Sequence, residues 1–142
     1  MPAVFEKLGI RFLYPDNWTL DEQEAVEGND SVTIYSPTGA FWSIVIHPPG
    51  ADPKNLAATA LQALKAEYEG AEAEPASEEI DGHTLRGYDL NFYYLDLTNT
   101  ALIRSFRTED ASYLLLCQAE DRDFATLGPV FNAITTSLMA SV

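Results

Sequence analysis

Alternating apolar and polar side chains run through the first third of the chain. Residues 9–14 form a short strand-like run, stopped by Pro15 and the turn-forming pair Asp16-Asn17, and Trp18 resumes an extended segment. Residues 31–36 place Val32 and Ile34 on one parity and Thr33 and Tyr35 on the other, and Pro37-Thr38-Gly39 closes a hairpin into residues 40–46. That second strand is apolar on both parities, Trp42, Ile44 and Ile46 against Phe41 and Val45, which predicts a strand covered on both faces.

The period then changes. Pro48, Pro49 and Gly50 break the strand, Asp52 reads as a helix N-cap, and Pro53 takes the first helical position, where its missing N–H costs nothing. Leu56, Ala60, Leu64 and Tyr68 recur every fourth residue with Leu61 beside them, so a helix is predicted to about Glu69, with Gly70 as its stop. Residues 71–79 are an acidic, mildly Ala/Glu-rich stretch without a strand pattern, and Ile80-Asp81-Gly82 is a turn. Residues 83–95 return to a two-residue period: Tyr88, Leu90, Phe92 and Tyr94 share one face, and Leu85, Gly87, Asp89, Asn91 and Tyr93 the other. A turn at 96–99 leads to a strand at 100–107, Glu109-Asp110 turns into 112–119, and the three strands make a meander. Asp121 or Asp123 caps a closing helix in which Phe124, Leu127, Val130 or Phe131, Ile134 and Leu138 keep the helical period, with Gly128-Pro129 early in it. The order of strands, helix, strands, helix predicts an α+β fold, an antiparallel sheet with helices packed on it, in a single domain spanning 1–142.

Composition narrows the function classes. With 142 residues and 46% hydrophobic content, the chain is large enough to bury a core that needs no disulfide or metal staple. Eight Lys and Arg against 22 Asp and Glu give a formal net charge of -14, which weighs against nucleic acid and anionic membrane surfaces. No apolar run is long enough to cross a bilayer and the first residues carry no leader pattern, so the expected location is cytoplasmic, or exported if a leader has been removed. The sole cysteine, Cys117, excludes an internal disulfide and sits in an apolar run, where a buried, inert thiol is expected.

Candidates for acid–base chemistry are His47, His83, Asp81 and Asp89; the histidines stand at strand ends, where surface positions are the rule. A hydrolase built on Asp81, His83 and Asp89 would need them within hydrogen-bonding distance. No nucleophile elbow, phosphate loop or paired-histidine motif occurs, so no catalytic residue, metal or cofactor is assigned. Glu67, Glu69, Glu72, Glu74, Glu78, Glu79 and Asp81 form an acidic run without a basic residue, spaced too widely for a calcium loop and better read as a solvated acidic face. A second run comprises Asp16, Asp21, Glu22, Glu24, Glu27 and Asp30. The two runs together either steer a basic partner or serve solubility, Lys numbering only three.

On the polar parity of the meander, a turn at 96–99 would set Asn91 or Tyr93 opposite Arg104, with Asp89 nearby and Phe106 on the same face. Either an ion pair beneath a helix or a shallow, aromatic-rimmed binding groove results. Trp18 and Trp42 are core anchors first and interface residues second.

The segment Gly9-Ile10-Arg11-Phe12-Leu13-Tyr14-Pro15-Asp16-Asn17-Trp18 is similar to the opening of PsbP-like proteins, a short strand running into Pro-x-x-Trp. The Asp52-Pro53 helix, a strand introduced by Ile80-x-Gly82, and a closing helix with Phe131-x-x-Ile134-x-x-Ser137 extend the resemblance over nearly the whole chain. It implies a twisted antiparallel sheet sandwiched between helices, and no catalytic chemistry. The superfamily includes the photosystem II extrinsic subunit, the Mog-type Ran-binding protein, bacterial lipoproteins and chaperones of type VI secretion effectors, so the resemblance points to a non-enzymatic protein-binding, adaptor or chaperone-like module. Its partner would be an unidentified, basic protein or a second copy of the chain. The alternative is a carrier or sensor of a small apolar ligand held between sheet and helix by Tyr88, Phe92, Tyr94 and Trp42.

Overall fold

The structure, a computed structural model, describes residues 2–22 and 29–142; Glu24 and Glu27 of the second acidic run lie outside them. Among the described residues, β3 (Thr19–Asp21), β4 (Asp30–Tyr35), β5 (Phe41–His47), β6 (Glu72–Ile80), β7 (His83–Tyr94), β8 (Leu97–Arg107) and β9 (Ser112–Glu120) form one antiparallel sheet in the order β3-β4-β5-β9-β8-β7-β6. β1 (Pro2–Lys7) and β2 (Ile10–Pro15) form a separate hairpin. The helices are α1 (Pro53–Glu67) and α2 (Asp121–Met139). The expected α+β sandwich is present.

Each sheet face has its own cover. Val32, Ile34, Trp42, Ile44, Leu115 and Cys117 face the hairpin and α2, where Phe12 lies 4.8 Å from Trp42 ring to ring and Trp18 meets Phe131 edge-on. Ser137 of α2 donates to Ile134 O and accepts from Leu13 N–H at 2.9 Å, and Ser141 donates to Arg11 O, so helix hydroxyls satisfy backbone groups of β2. The opposite face carries Leu90, Phe92, Ala101 and Ile103 against Ala57, Leu61 and Leu64 of α1. Asp52 caps α1, its carboxylate accepting from Lys54 N–H, and Pro53 opens the helix as expected. Ser105 donates to Pro53 O at 2.7 Å and Ser112 to Ala51 O at 2.6 Å, which pins the start of α1 onto β8 and β9.

Several expectations need correction. β1 and β6 are strands that the sequence pattern did not reveal: β1 pairs through a turn at Leu8-Gly9, and β6 is an edge strand whose Glu and Pro content suppresses intrinsic strand preference while suiting an unpaired edge. The β7–β8 turn is not at 96–99 but at Leu95-Asp96, both at positive φ, with Tyr94 opposite Leu97. Neither Asp121 nor Asp123 is the cap of α2; both lie in its first turn, where negative charge favours the helix dipole, and Asp121 accepts a hydrogen bond from Thr100 at 2.7 Å. Pro129 lies near the middle of α2, eight residues after Asp121, rather than early in it. β5 is covered unequally: Trp42 and Ile44 are fully buried, but Phe41 and Val45 are only half-buried because α1 sits over β7, β8 and β9.

Candidate functional site

The tighter turn shifts the β7–β8 register. Arg104 stands opposite Gly87 instead of Asn91 or Tyr93, which pair with Thr100 and Thr98. The shift is four residues, so parity is preserved and Arg104 still shares a face with Asp89, Asn91, Tyr93 and Phe106. Arg104 Nε donates to Glu78 at 2.7 Å, its Nη1 lies 2.9 Å from Asp89, and Nη1 also donates to Ile103 O. Burial disfavours the guanidinium charge, but the hydrogen bond to Glu78 and the close Asp89 carboxylate outweigh it and hold the group above its ordinary value. The arginine side chain is 11% exposed and the two carboxylates 37% and 44%, so the trio lies at the margin of the covered sheet. Arg104 is ion-paired with Asp89, and with Glu78 as a second partner, at the sheet margin rather than beneath a helix.

Gly87 is fixed by the same arrangement. A Cβ there would lie 1.9 Å from Ile103 O, so no side chain fits.

Outward from the trio, the α2-side face of β6 and β7 is uncovered. Glu72 pairs with Asn91 and Glu74 with Asp89 across the strands, and Tyr93 is 72% exposed. At the β7–β8 tip Leu95 is 77% exposed, and Tyr94 and Leu97, exposed as well, stand on the α1-side parity, where Tyr94 meets Tyr68 edge-on. Leu95 adopts φ 52, a conformation that branched apolar side chains rarely take. Asp89, Asn91 and Tyr93 are therefore brought together with Glu72 and Glu74. Trp18 and Trp42 are not part of this surface: both are core residues, Trp42 Nε1 donating to Thr135 at 3.0 Å. The rest of the first acidic run disperses. Glu67 and Glu69 lie at the end of α1, Glu79 on the α1-side face of β6, and Asp81 in the β6–β7 turn.

The other candidates separate as well. Asp89 lies six residues along β7 from His83, about 20 Å away, and is engaged by Arg104, while His83 packs its ring on Phe106. Asp81, His83 and Asp89 therefore form no catalytic set. Among the described residues no three of His, Cys, Asp and Glu converge on a metal-sized site. Cys117 is buried, and burial pushes its thiol well above the ordinary value, the nearby Arg104 charge opposing. The apolar-ligand set is divided by the sheet itself, Trp42 on the α2 side and Tyr88, Phe92 and Tyr94 on the α1 side, where Phe92 stacks on Tyr68 at 4.0 Å and Tyr94 meets it edge-on.

The α1 side carries a further feature that no sequence motif marks. A cleft of about 710 Å³ opens beside the first turn of α1, over β6, β7 and β8, and Lys54, Arg86 and Arg107 line it. These residues are far apart in sequence, and only strand register and the Ser105 contact gather them. The one available signal was parity, since Arg86 shares its face of β7 with Tyr88 and Leu90.

Against solved structures, the chain is similar to cyanobacterial PsbP (CyanoP) from Synechocystis sp. PCC 6803, at TM-score 0.66 and 15% identity over 96% of this chain and 90% of that one. The chain has the PsbP-like fold. The same PsbP-like arrangement is matched in PA94 from Pseudomonas aeruginosa, a protein of unknown function described as a putative regulator, at TM-score 0.53 and 14% identity over 96% and 95% of the two chains. LpqN of Mycobacterium tuberculosis, involved in cell envelope biogenesis, matches at TM-score 0.53 and 17% identity over 94% and 86%. No protein-family model and no curated protein matches the sequence. Among the described residues, no helix of this PsbP-like chain is long and apolar enough to cross a membrane.

Proposed function

We propose that the chain is a non-enzymatic protein-binding module of adaptor or chaperone-like type, contacting its partner through the uncovered face of β6 and β7 and the β7–β8 tip. The observation that carries this reading is the tip itself: Tyr93, Tyr94, Leu95 and Leu97 are all exposed, with Asp96 in the turn and Glu72, paired with Asn91, diagonal to Tyr93. An exposed apolar tip, in which Leu95 holds a strained turn conformation and which Glu72 and Asp96 flank, suits an apolar socket bordered by Lys or Arg. The flanking acids supply steering and the apolar tip supplies affinity. The proposed site of action is cytoplasmic.

The test uses the tagged chain, a Glu72→Lys/Glu74→Lys variant and a Tyr93→Ser/Leu95→Ser variant in parallel captures from native lysate at low and moderate salt. The expected result is one dominant basic protein, weakened by charge reversal and by salt and lost with the tip variant. A dominant partner retained equally by both variants would overturn the reading. Loss of capture counts only where circular dichroism shows the variants folded.

A further inference from the structure

The geometry points to the cleft at the start of α1 as a binding site for a small organic anion, one carrying a phosphate or carboxylate head on an apolar body. This inference is independent of the protein-docking surface, which lies on the α2-side face and at the β7–β8 tip, nine residues along the chain from Arg86.

The first argument is the distribution of positive charge. Among the described residues Lys7 pairs with Glu22, Arg11 with Glu6, Arg104 with Glu78 and Asp89, and Arg122 with Glu120. Lys54, Lys65, Arg86 and Arg107 have no such partner, and Lys54, Arg86 and Arg107 line this one cleft. In a chain of net charge -14, no carboxylate among the described residues lies within ion-pair distance of these cations, although Glu79, paired with Thr84, stands diagonal to Arg86 on the same face. Asp52, the single carboxylate of the lining, has Oδ1 3.0 Å from Lys54 N as the helix cap. Three unpartnered like charges around a concavity leave a positive potential that an anion would relieve.

The second argument is how the cleft is built. The β7–β8 ladder ends at Arg86–Ser105, although β7 begins at His83 and β8 continues to Arg107. Past that point β7 stays paired to β6 and β8 to β9, so the two hairpins part. Ser105 donates to Pro53 O and also lies 3.1 Å from Arg86 O, fixing the first turn of α1 above the parting strands. Arg86 and Arg107 thus project on the α1 side from two separate strands, with Lys54 approaching from the helix.

The third argument is the chemistry of the lining. Guanidinium groups are planar forks that match carboxylate and phosphate oxygens in pairs, and two of them with one ammonium suit a compact, multiply charged head. Pro53, Ala57, Pro75 and Tyr88 supply apolar contact beside the cations. The volume lies in the range of small-molecule sites.

The experiment is a titration of the ¹⁵N-labelled full chain with phenyl phosphate, with benzoate, and with phenol as the uncharged control, followed by amide chemical shifts. The expected result is a saturable shift centred on Lys54, Thr84, Arg86, Ser105 and Arg107 with at least one of the two anions and not with phenol. Arg86→Gln/Arg107→Gln should weaken that binding by about tenfold or more, since charge-assisted hydrogen bonds are lost. Lys54→Gln, on a different element, should weaken it by a smaller factor and guards against a folding defect in the double variant. Tighter binding of phenyl phosphate would identify a phosphate ester as the ligand class, and tighter binding of benzoate a carboxylic acid. Equal shifts with phenol, affinity unchanged in both variants, or no saturation with either anion up to about 10 mM, the range of a bare surface ion pair, would overturn the inference.

Discussion

On one side of the sheet, Val32, Ile34, Trp42 and Ile44 are sealed under the β1–β2 hairpin and α2, whereas on the other side Phe41, Ser43 and Val45 of the same strand are half-buried because α1 is displaced toward β7, β8 and β9. The covers are offset, so each face keeps one region open. On the α2 side the open region is the tip-ward part of β6 and β7, from Glu74 and Asp89 outward, with the Arg104 trio at its margin and the exposed tip beyond, while Leu85 on the same face is sealed. On the α1 side the cationic cleft opens at the helix start. Both candidate surfaces of this molecule arise where a cover stops, and the open regions carry opposite charge. An offset sandwich can thus present an acidic docking face and a basic cleft on one small scaffold.

The sharpest test of this asymmetry compares truncations under the two covers. Trp42→Ala removes a side chain with no exposed area and an indole hydrogen bond, and should cost about 3–5 kcal/mol in urea unfolding. Leu64→Ala, under α1 alone, should cost about 2–3 kcal/mol. Equal costs would mean that α1 is as well packed as α2 and the hairpin together. Next in size is Gly87→Ala, which forces β7 and β8 apart by overpacking and should cost about 2–3 kcal/mol, with amide shifts spreading to Arg104. Arg104→Met should cost about 1–2 kcal/mol, less than a fully buried pair because Glu78 and Asp89 are part-exposed, and adding Asp89→Asn should recover some of it.

Cys117 gives a pH test of the sealed side. Its folded pKa is raised, so the folded chain keeps the proton while the unfolded chain releases it near the ordinary thiol value. Stability from this group is intact below about pH 8.5 and falls by up to about 1.4 kcal/mol per pH unit above it. Cys117→Ala should flatten that part of the profile, and native Cys117 should resist alkylation until the chain opens. The smallest effect has the opposite sign. Replacing Leu95-Asp96 by Asn-Gly places residues suited to positive φ in the turn and should raise stability by about 0.5–1 kcal/mol while weakening partner capture.

Much of this architecture was legible in the chain. α1 was marked by Asp52-Pro53 and a four-residue apolar period, and β7 and β9 by unambiguous alternation or apolar runs. β6 was hidden because Glu72, Glu74, Pro75 and Glu78 have little preference for strands; pairing with β7 decides the matter. β1 was hidden because Pro2, Glu6 and Lys7 dilute a pattern resting on Ala3 and Phe5. The Arg104 trio was half legible, since its parity survives a wrong turn position but its partner does not. Lys54, Arg86 and Arg107 could not be gathered from sequence, because their meeting depends on where two hairpins diverge. Trp18 and Trp42 show the reverse case, in which burial settles a choice that residue type leaves open.

The pairing of β5 with β9 also has a consequence for how the chain is made. Trp42 meets Cys117, about 75 positions later, so the β4–β5 hairpin waits with its inner edge unpaired until residues 112–120 have left the ribosome. At ordinary translation speeds that delay is roughly 4–15 s, long compared with the microseconds in which a hairpin closes. During that interval Trp42, Ile44 and Ile46 stand beside an open strand edge with no closing partner. For this fold, the newborn chain is more vulnerable to aggregation than the finished one, and its need for protection ends only when the penultimate element arrives.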